Sequence, residues 1–406
     1  MERELPEGWE SVTLGSLEKK GEITFQNGFA CGVNNQEGRG IPQLRPMNVS
    51  QSGRIVLDVL KFIETDRDVS NYCLQQNDVI FNNTNSAELV GKTAAWDGEL
   101  EHCVLSNHMT IIRVINRSRL DPQFLARYLH SRWGKHYFEN ICQEHINQAS
   151  VSLERLYEVE IPLPPLRIQR QIVAVLEQAE AVKRRRHEAD ALTGALLQSV
   201  FLEMFGDPVR NESGWEQSKL GNCCRVQRGK FTYRPRNEPR FYGGNYPFIQ
   251  TGDVANCQGK LKKYTQTLNE EGLSISKMFP KGTIVISIAA NIGDTAILDF
   301  DSCFPDSVVG ISPDTRKGTV EFFEMMLRFY KEHLWNLAPE TAQRNINLKI
   351  LSKLDVIVPP LALQQQFARV VERVERIREQ QVASGKEIEG LCEGLMARAF
   401  AGELVG

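Results

Sequence analysis

The strongest constraint on this chain is that it contains the same module twice. GWESVTLGSL at 8–17 is answered by GWEQSKLGNC at 214–223, an offset of 206. IPQLRPMNV at 41–49 is answered by YPFIQTGDV at 246–254, NDVIFN at 77–82 by GTIVIS at 282–287, and GKTA at 91–94 by GDTA at 293–296. The longest match sets VSLERLYEVEIPLPPLRIQRQIVAVL at 151–176 against INLKILSKLDVIVPPLALQQQFARVV at 346–371, with eight of 26 positions identical. The identities are Leu153/Leu348, Leu156/Leu351, Pro164/Pro359, Pro165/Pro360, Leu166/Leu361, Gln169/Gln364, Gln171/Gln366 and Val175/Val370. A period of about 200 residues is far longer than a solenoid unit, so one domain-plus-helix module occurs twice. The 406 residues are then two related halves, not the two or three unrelated domains that length alone suggests.

Both copies have the same internal order. Each opens on Gly-Trp (Gly8-Trp9, Gly214-Trp215) and runs through short β-branched stretches punctuated by Gly, Asn and Pro, the pattern of strands and turns. A short helical stretch is predicted at 121–139 and again at 319–337. A strand-like run at 159–163 or 354–358 then leads into Pro-Pro and a long helical pattern. Proline suits the mouth of a helix, where its missing N–H would be unpaired in any case.

The long segments carry apolar residues on alternating spacings of four and three. In the first these are Ile168, Ile172, Val175, Ala179, Val182, Ala189, Leu196 and Val200; in the second, Leu363, Phe367, Val370, Val374, Ile377, Ile388, Leu391 and Leu395. Such a seam predicts a two-stranded coiled coil rather than a pair of ordinary core helices. Both seams turn polar in the middle, at Arg186 and at Gln381 and Ser384, and an antiparallel pair would set these weak centres face to face. Read from Pro165 to Phe201 and from Pro360 to Phe400, the second helix is one turn longer, and each spans about 54–60 Å.

Enzyme signatures fail one after another. SAELVGKT at 86–93 has Ser86 where a phosphate-binding loop needs its first glycine, and its counterpart has Asp for the lysine, so a β-turn is expected. There is no HExxH, no cysteine pair with metal-ligand spacing, and no GxSxG. Pro305-Asp306 and Pro313-Asp314 lack the acidic-x-Lys that a restriction-type nuclease needs after them, and no Asn-Pro exists for an amino-methyltransferase tetrad. Nine cysteines with one vicinal pair, Cys223-Cys224, read as reduced thiols of a cytoplasmic protein. The longest apolar runs, such as 283–290, are strand-length, and the polar start MERELPEGWE is unlike a signal peptide.

The net charge of −3 argues against a nucleic-acid partner only until it is resolved along the chain. Between Lys219 and Lys263 lie Lys219, Arg225, Arg228, Lys230, Arg234, Arg236, Arg240, Lys260, Lys262 and Lys263, opposed only by Glu238 and Asp253, a local balance of +8. Phe231, Tyr233, Phe241, Tyr242 and Tyr246 interleave with them. Clustered cations release phosphate counterions, and arginine pairs bidentately with guanine. Residues 1–150 balance at −4, so a nucleic-acid face there has to be local. Its candidates are Arg39, Arg45, Asn48, Arg54, Asn82, Asn83, Asn85 and Lys92, although each asparagine equally suits a turn. The basic string at 183–187 lies on the first long helix, as a solvated face or a protein contact.

Two β-rich domains, each followed by a Pro-Pro-Leu-x-x-Gln-x-Gln helix, resemble the specificity subunit of type I restriction–modification systems. The residues carrying the resemblance are Gly8-Trp9 with Gly214-Trp215, IPLPPLRIQRQ at 161–171 with VIVPPLALQQQ at 356–366, and AQRNIN at 342–347 with the looser NQASVS at 147–152. The resemblance covers essentially the whole chain. It implies an α+β fold in which two target-recognition domains of mixed or antiparallel sheet with short helices (1–163 and 206–358) are joined by long helices (164–205 and 359–406). Those helices would form an antiparallel coiled coil with pseudo-two-fold symmetry. Each domain would read one half of a split, asymmetric site on double-stranded DNA, with Arg225, Arg228, Lys230, Arg234, Arg236, Arg240, Lys260 and Lys262 as contacts in the second. The helices would set the spacing and dock two methyltransferase (modification) subunits, with Pro164, Pro165, Gln169, Gln171, Pro359, Pro360, Gln364 and Gln366 at the contact. Motor–nuclease (restriction) subunits would complete the assembly in a bacterial or archaeal cytoplasm. S-adenosylmethionine, ATP and Mg2+ would sit on those partners and none on this chain, which would catalyse nothing. A two-headed protein-interaction adaptor and a self-contained DNA-modifying enzyme are the competing readings.

Overall fold

Each copy of the module folds around the same antiparallel sheet. The computed structural model describes residues 5–31, 33–146, 148–255, 257, 259–289, 291–338 and 345–404. Met1 to Glu4, Asn147, Ala290 and Ala342 to Arg344, all used in reading the sequence, lie outside the described residues. The chain divides into two units, Met1–Arg186 with Ser384–Gly406, and His187–Ala383. This division cuts each long helix near its middle, so each unit holds one β-rich domain and half of each helix.

In the first unit the sheet order is Ile23–Asn27, Met109–Val114, Val79–Asn82, Thr93–Ala95. In the second it is Cys224–Arg228, Val308–Pro313, Ile284–Ser287, Thr295–Leu298, extended by a parallel Lys260–Leu261. The central strands are buried along their whole length, which suits their Val/Ile/Phe content. A second, smaller sheet of mixed direction stands beside each, with Ile41–Leu44 parallel to Val104–Leu105 and Tyr242–Phe248 parallel to Ser302–Cys303. The opening strand of each domain pairs antiparallel with the strand just before the long helix: Glu10–Thr13 with Glu160–Leu163, and Gln217–Lys219 with Asp355–Ile357. The start and end of each domain are thereby tied together at the foot of its helix.

The helical stretches at 121–139 and 319–337 are each two helices rather than one. Pro122–His130 and Arg132–Ile141 part at Ser131, whose hydroxyl caps the second by accepting from Gly134 N–H. Val320–Phe329 and Lys331–Leu337 part at Tyr330.

The long helices, Leu166–Phe205 and Leu361–Phe400, are 40 residues each, so the one-turn difference read from the sequence is absent. The first continues past Phe201 because nothing breaks it before Gly206, which takes the left-handed φ of 73° that ends helices, and because Phe205 is itself core. Within each unit the two helix halves run antiparallel. In the first, Lys183 pairs with Glu389 and Cys392 with the Ala179 carbonyl. In the second, Thr193 meets Arg378 and Gln381 while Phe201 and Phe205 pack on Phe367.

The seam is not uniformly buried. Val182, Leu196, Ile377 and Leu391 hold heptad positions yet are 48%, 43%, 39% and 61% exposed. Burial is concentrated where a domain covers the helices. Ile172, Val173 and Leu176 with Ala399 and Phe400 join the core of the first unit; Leu197, Phe201 and Phe205 with Phe367, Val371 and Val374 join that of the second. No described helix is long and apolar enough to cross a membrane.

Candidate nucleic-acid interface

The basic segment of the second unit becomes a defined site through one close backbone approach. The strand Cys224–Arg228 is laddered to Val308–Pro313 and ends at Gly229. Gly229 N–H donates to the Val308 carbonyl at 2.9 Å, and Lys230 N–H to the Phe304 carbonyl at 3.0 Å. A Cβ on Gly229 would stand 2.3 Å from the Pro305 oxygen, so only glycine lets the chain pass here. The loop that follows is thereby pressed against the turn at 304–307, and Asp306 sits on that turn.

Three arginines converge on Asp306. Arg228 Nε donates to its backbone carbonyl at 2.7 Å. Arg234 Nη2 reaches both carboxylate oxygens, at 3.3 and 3.2 Å, and Arg236 Nη2 donates to one of them. Arg234 is further held by the Phe231 and Tyr233 carbonyls at 2.6 and 2.8 Å, which uses both ends of its fork. Arg236 Nε is buried and has no hydrogen-bond partner among the described residues. Arg240 lies over the rings of Tyr233 and Phe241, 4.9 and 4.6 Å from their centroids. Arg225 and Lys230 are exposed and unpaired among the described residues.

The interleaved aromatic residues anchor the loop rather than wait for bases. Phe231 and Phe241 are core residues with Phe248, Leu268 and Cys303, while the Tyr242 hydroxyl donates to the Arg236 carbonyl. Two other expected contacts point elsewhere. Lys262 pairs with Glu379 on the second long helix at 2.5 Å, which raises its pKa and lowers that of Glu379. Lys260 is half-buried and lines a small hollow with Glu324, Arg328 and Glu375.

The first unit repeats the scaffold with different side chains. Gly28 ends the strand Ile23–Asn27, donates to the Met109 carbonyl at 2.9 Å, and would place a Cβ 2.1 Å from the Ser106 oxygen. Phe29 N–H donates to the Leu105 carbonyl at 2.7 Å, matching Lys230. The loop then exposes Val33, Asn34 and Gln36 around an open hollow, and the adjoining turn exposes Asn107 and His108. Arg39 borders the hollow in ion pairs with Glu37 and Glu64, at 3.1 and 3.2 Å. Arg45 is half-buried and donates to Gln43 at 3.1 Å.

The remaining candidates of this unit are braces. Asn48 is buried and spans its own turn, accepting from Arg45 N–H and donating to the Val56 and Val59 carbonyls at 2.8 and 3.0 Å. Lys92 donates to the Pro46 and Val49 carbonyls, and burial lowers its pKa. It follows Gly91 in the turn expected there, with φ of 81°. Asn82 and Asn83 donate to the Leu89 and Val151 carbonyls. Asn85, half-buried, accepts from the Ser86 N–H at 2.9 Å. Arg54 pairs with Glu180 on the first long helix at 3.2 Å. Apart from Asn85, whose amide oxygen accepts from the neighbouring N–H, these side chains donate to backbone carbonyls or to the helix.

The motif glutamines are also corrected. Gln169 and Gln364 are 0% exposed and cannot face a partner. Gln169 donates to the Arg119 and Pro164 carbonyls, both at 2.8 Å, and accepts from Asp121 N–H at 2.8 Å. Gln364 repeats this with Lys317 O, Pro359 O and Thr319 N–H at 3.2, 2.8 and 3.2 Å. Asp121 and Thr319 are the N-caps of the helices above, so the glutamine ties domain to long helix in both units. Pro164 and Pro359 are buried too, whereas Pro165, Pro360 and Gln366 are exposed and Gln171 is half-buried.

The family model described as type I restriction modification DNA specificity domain matches residues 6–189 and again 212–389. The chain belongs to the type I restriction modification DNA specificity family. Among its relatives is the putative type I restriction enzyme MjaX specificity subunit of Methanocaldococcus jannaschii, 23% identical over 99% of this chain and 95% of that one. A Haemophilus influenzae putative specificity subunit is 25% identical over 76% and 77%. In fold, this specificity chain is similar to a chain from a solved type I R-M system, with TM-score 0.64 and 21% identity over 99% and 100% of the two chains. It is also similar to the S subunit from M. genitalium, with TM-score 0.57 and 15% identity over 98% and 97%.

Sequence reading missed Gly28, Gly229 and Asp306. The signal was present: FQNG at 25–28 answers VQRG at 226–229, and SNHM at 106–109 answers PDSV at 305–308.

Proposed function

We propose that this chain is the DNA-reading specificity subunit of a type I restriction–modification complex. Each unit reads one half of a bipartite, asymmetric site on double-stranded DNA. The first uses the loop at 29–40 and the turn at 106–108; the second uses the loop at 230–245 and the turn at 305–307. The observation that carries this reading is the duplicated glycine approach, Gly28 and Gly229, which projects one long loop beside one turn in each unit. On that common scaffold one unit presents arginines and the other Asn, Gln and His, as two different half-sites require.

The long helices set the gap between the halves and dock two methyltransferase subunits. Support for two equivalent docking sites comes from the exposed seam residues. Val182 corresponds to Ile377 and Leu196 to Leu391 in the duplication, so each unit holds one β-branched and one Leu position open. The exposed Pro165, Pro360 and Gln366 and the half-buried Gln171 lie at the helix mouths as further contacts. S-adenosylmethionine, ATP and Mg2+ belong to the methyltransferase and motor–nuclease subunits, and the chain itself works without catalysis in a bacterial or archaeal cytoplasm.

The test is co-expression with a cognate methyltransferase subunit and mapping of methylated adenines. A two-part motif with a fixed gap is expected; methylation or cleavage by the purified chain alone, or salt-insensitive binding to protein partners without DNA, would overturn the proposal. Insertion of four seam-compatible residues beside Arg186 adds ~6 Å of helix. Against ~3.4 Å per base-pair step, the gap is expected to lengthen by one or two base pairs. An active variant with an unchanged gap would refute the ruler.

A further inference from the structure

A carboxylate, that of Asp306, stands among three arginines of the basic segment of the second unit. Asp306 repels phosphate, so simple affinity for DNA gives no reason for it. Its contacts supply one. It fixes the positions of Arg228, Arg234 and Arg236, with its own side chain still 39% exposed. The three arginines do not become equivalent. Arg234 has both ends of its fork occupied and acts as a strut of the loop. Arg236 has one Nη held by Asp306, a buried Nε without an acceptor among the described residues, and a side chain 40% exposed. Its orientation is set from both sides, because the Tyr242 hydroxyl donates to its own carbonyl.

We infer that Asp306 is a positioning residue for DNA specificity: by holding Arg236 it fixes a guanidinium edge that reads a guanine in the half-site of the second unit. Guanine is the base with two acceptors, O6 and N7, on its major-groove edge, the pattern that an arginine fork matches. A freely rotating arginine would bind phosphate on any sequence. One anchored to a carboxylate presents its donors in a single direction and discriminates. The Asn107 turn of the first unit occupies the matching place without a carboxylate, so this device belongs to one half only.

The inference rests on the function proposed above, and the test separates the two. Complexes of the chain with its methyltransferase subunit carry wild-type, Asp306→Ala, Asp306→Asn or Arg236→Ala sequences; methylated sites are mapped, and binding to random-sequence duplex is followed against salt. Asp306→Ala and Arg236→Ala are expected to make the same guanine position degenerate, with discrimination falling about ten-fold, and to leave the other half-site intact. That intact half serves as the internal folding control. Asp306→Ala is also expected to bind random duplex more tightly at low salt, with a log–log salt slope steeper by about one, whereas Arg236→Ala makes it shallower. Asp306→Asn, which keeps an acceptor, is expected to fall between wild type and alanine in discrimination. A wild-type complex without a two-part motif would sink the proposed function. An unchanged motif in Asp306→Ala, degeneracy at a position that Arg236→Ala leaves alone, or loss of random-duplex binding in both Asp306 variants would overturn this inference.

Discussion

Replacing Gln169 by leucine tests the idea that the motif glutamine is a buried tie and not a partner contact. Leucine keeps most of the volume but removes three hydrogen bonds, those to Arg119 O, Pro164 O and Asp121 N–H. Glutamine is 0% exposed at this position, so water cannot take over the partners without opening the joint. Each neutral hydrogen bond contributes about 1 kcal/mol net, and each buried group left unmade costs about 1–3 kcal/mol. Some relaxation at the helix mouth is allowed, so we expect a loss of about 3–5 kcal/mol, a large share of a domain's ~5–15 kcal/mol. Urea unfolding measures it, and hydrogen exchange at the Asp121 amide locates it. Gln364→Leu should behave alike in the second unit, while exposed Gln366→Leu should stay within about 0.5 kcal/mol. A Gln169→Leu chain that loses less than about 1 kcal/mol but no longer binds the methyltransferase subunit would refute the buried-tie reasoning and restore the glutamine to the partner surface.

Gly229→Ala is expected to cost about 1–3 kcal/mol or more from overpacking and to abolish reading of one half-site, because its Cβ would stand 2.3 Å from the Pro305 oxygen; Gly28→Ala should do the same to the other half, and methylation mapping distinguishes them. His130 is held neutral chiefly by burial, which lowers its pKa, and its geometry fits: Nδ1 accepts from Thr93 N–H and Nε2 faces the Gln51 carbonyl. The unfolded chain takes up this proton near pH ~6.5 and the folded chain only at lower pH. The associated stability is therefore present above about pH 6.5 and lost as pH falls through the folded pKa; His130→Gln should flatten that dependence in unfolding experiments, and an unchanged pH profile would contradict the assignment. Burial pushes the Cys103 thiol up to about 12 and raises those of Cys303 and Cys224 as well. Alkylation at pH ~8, which needs the thiolate, should spare these three in the native chain and modify them in denaturant, as mass spectrometry would show.

The sequence by itself determined the features that repeat locally. Two offset copies, the Pro-Pro entry and sustained helical spacing established a duplicated α+β chain with two long helices, because period and punctuation are properties of neighbours along the chain. Even there, the seam span of the first helix, Pro165 to Phe201, falls four residues short of Phe205, because Gly206, where the helix stops, lies beyond the seam. Seam positions Val182, Leu196, Ile377 and Leu391 looked buried by spacing, but only the placement of each domain against the helices decides which turns are covered.

Tertiary structure decided what each polar residue is for. Lys92, Asn48 and Gln169 have the composition of contact residues, yet carbonyls 43 to 50 residues away or just across a turn claim them. Asp306 looked like half of a failed nuclease motif and became the anchor of three arginines 70 to 78 residues away. Hydrogen-bond partners of that kind are brought together by the sheet, through the register of Cys224–Arg228 on Val308–Pro313, and that register is set by the burial of a whole strand face. Local spacing carries no record of it.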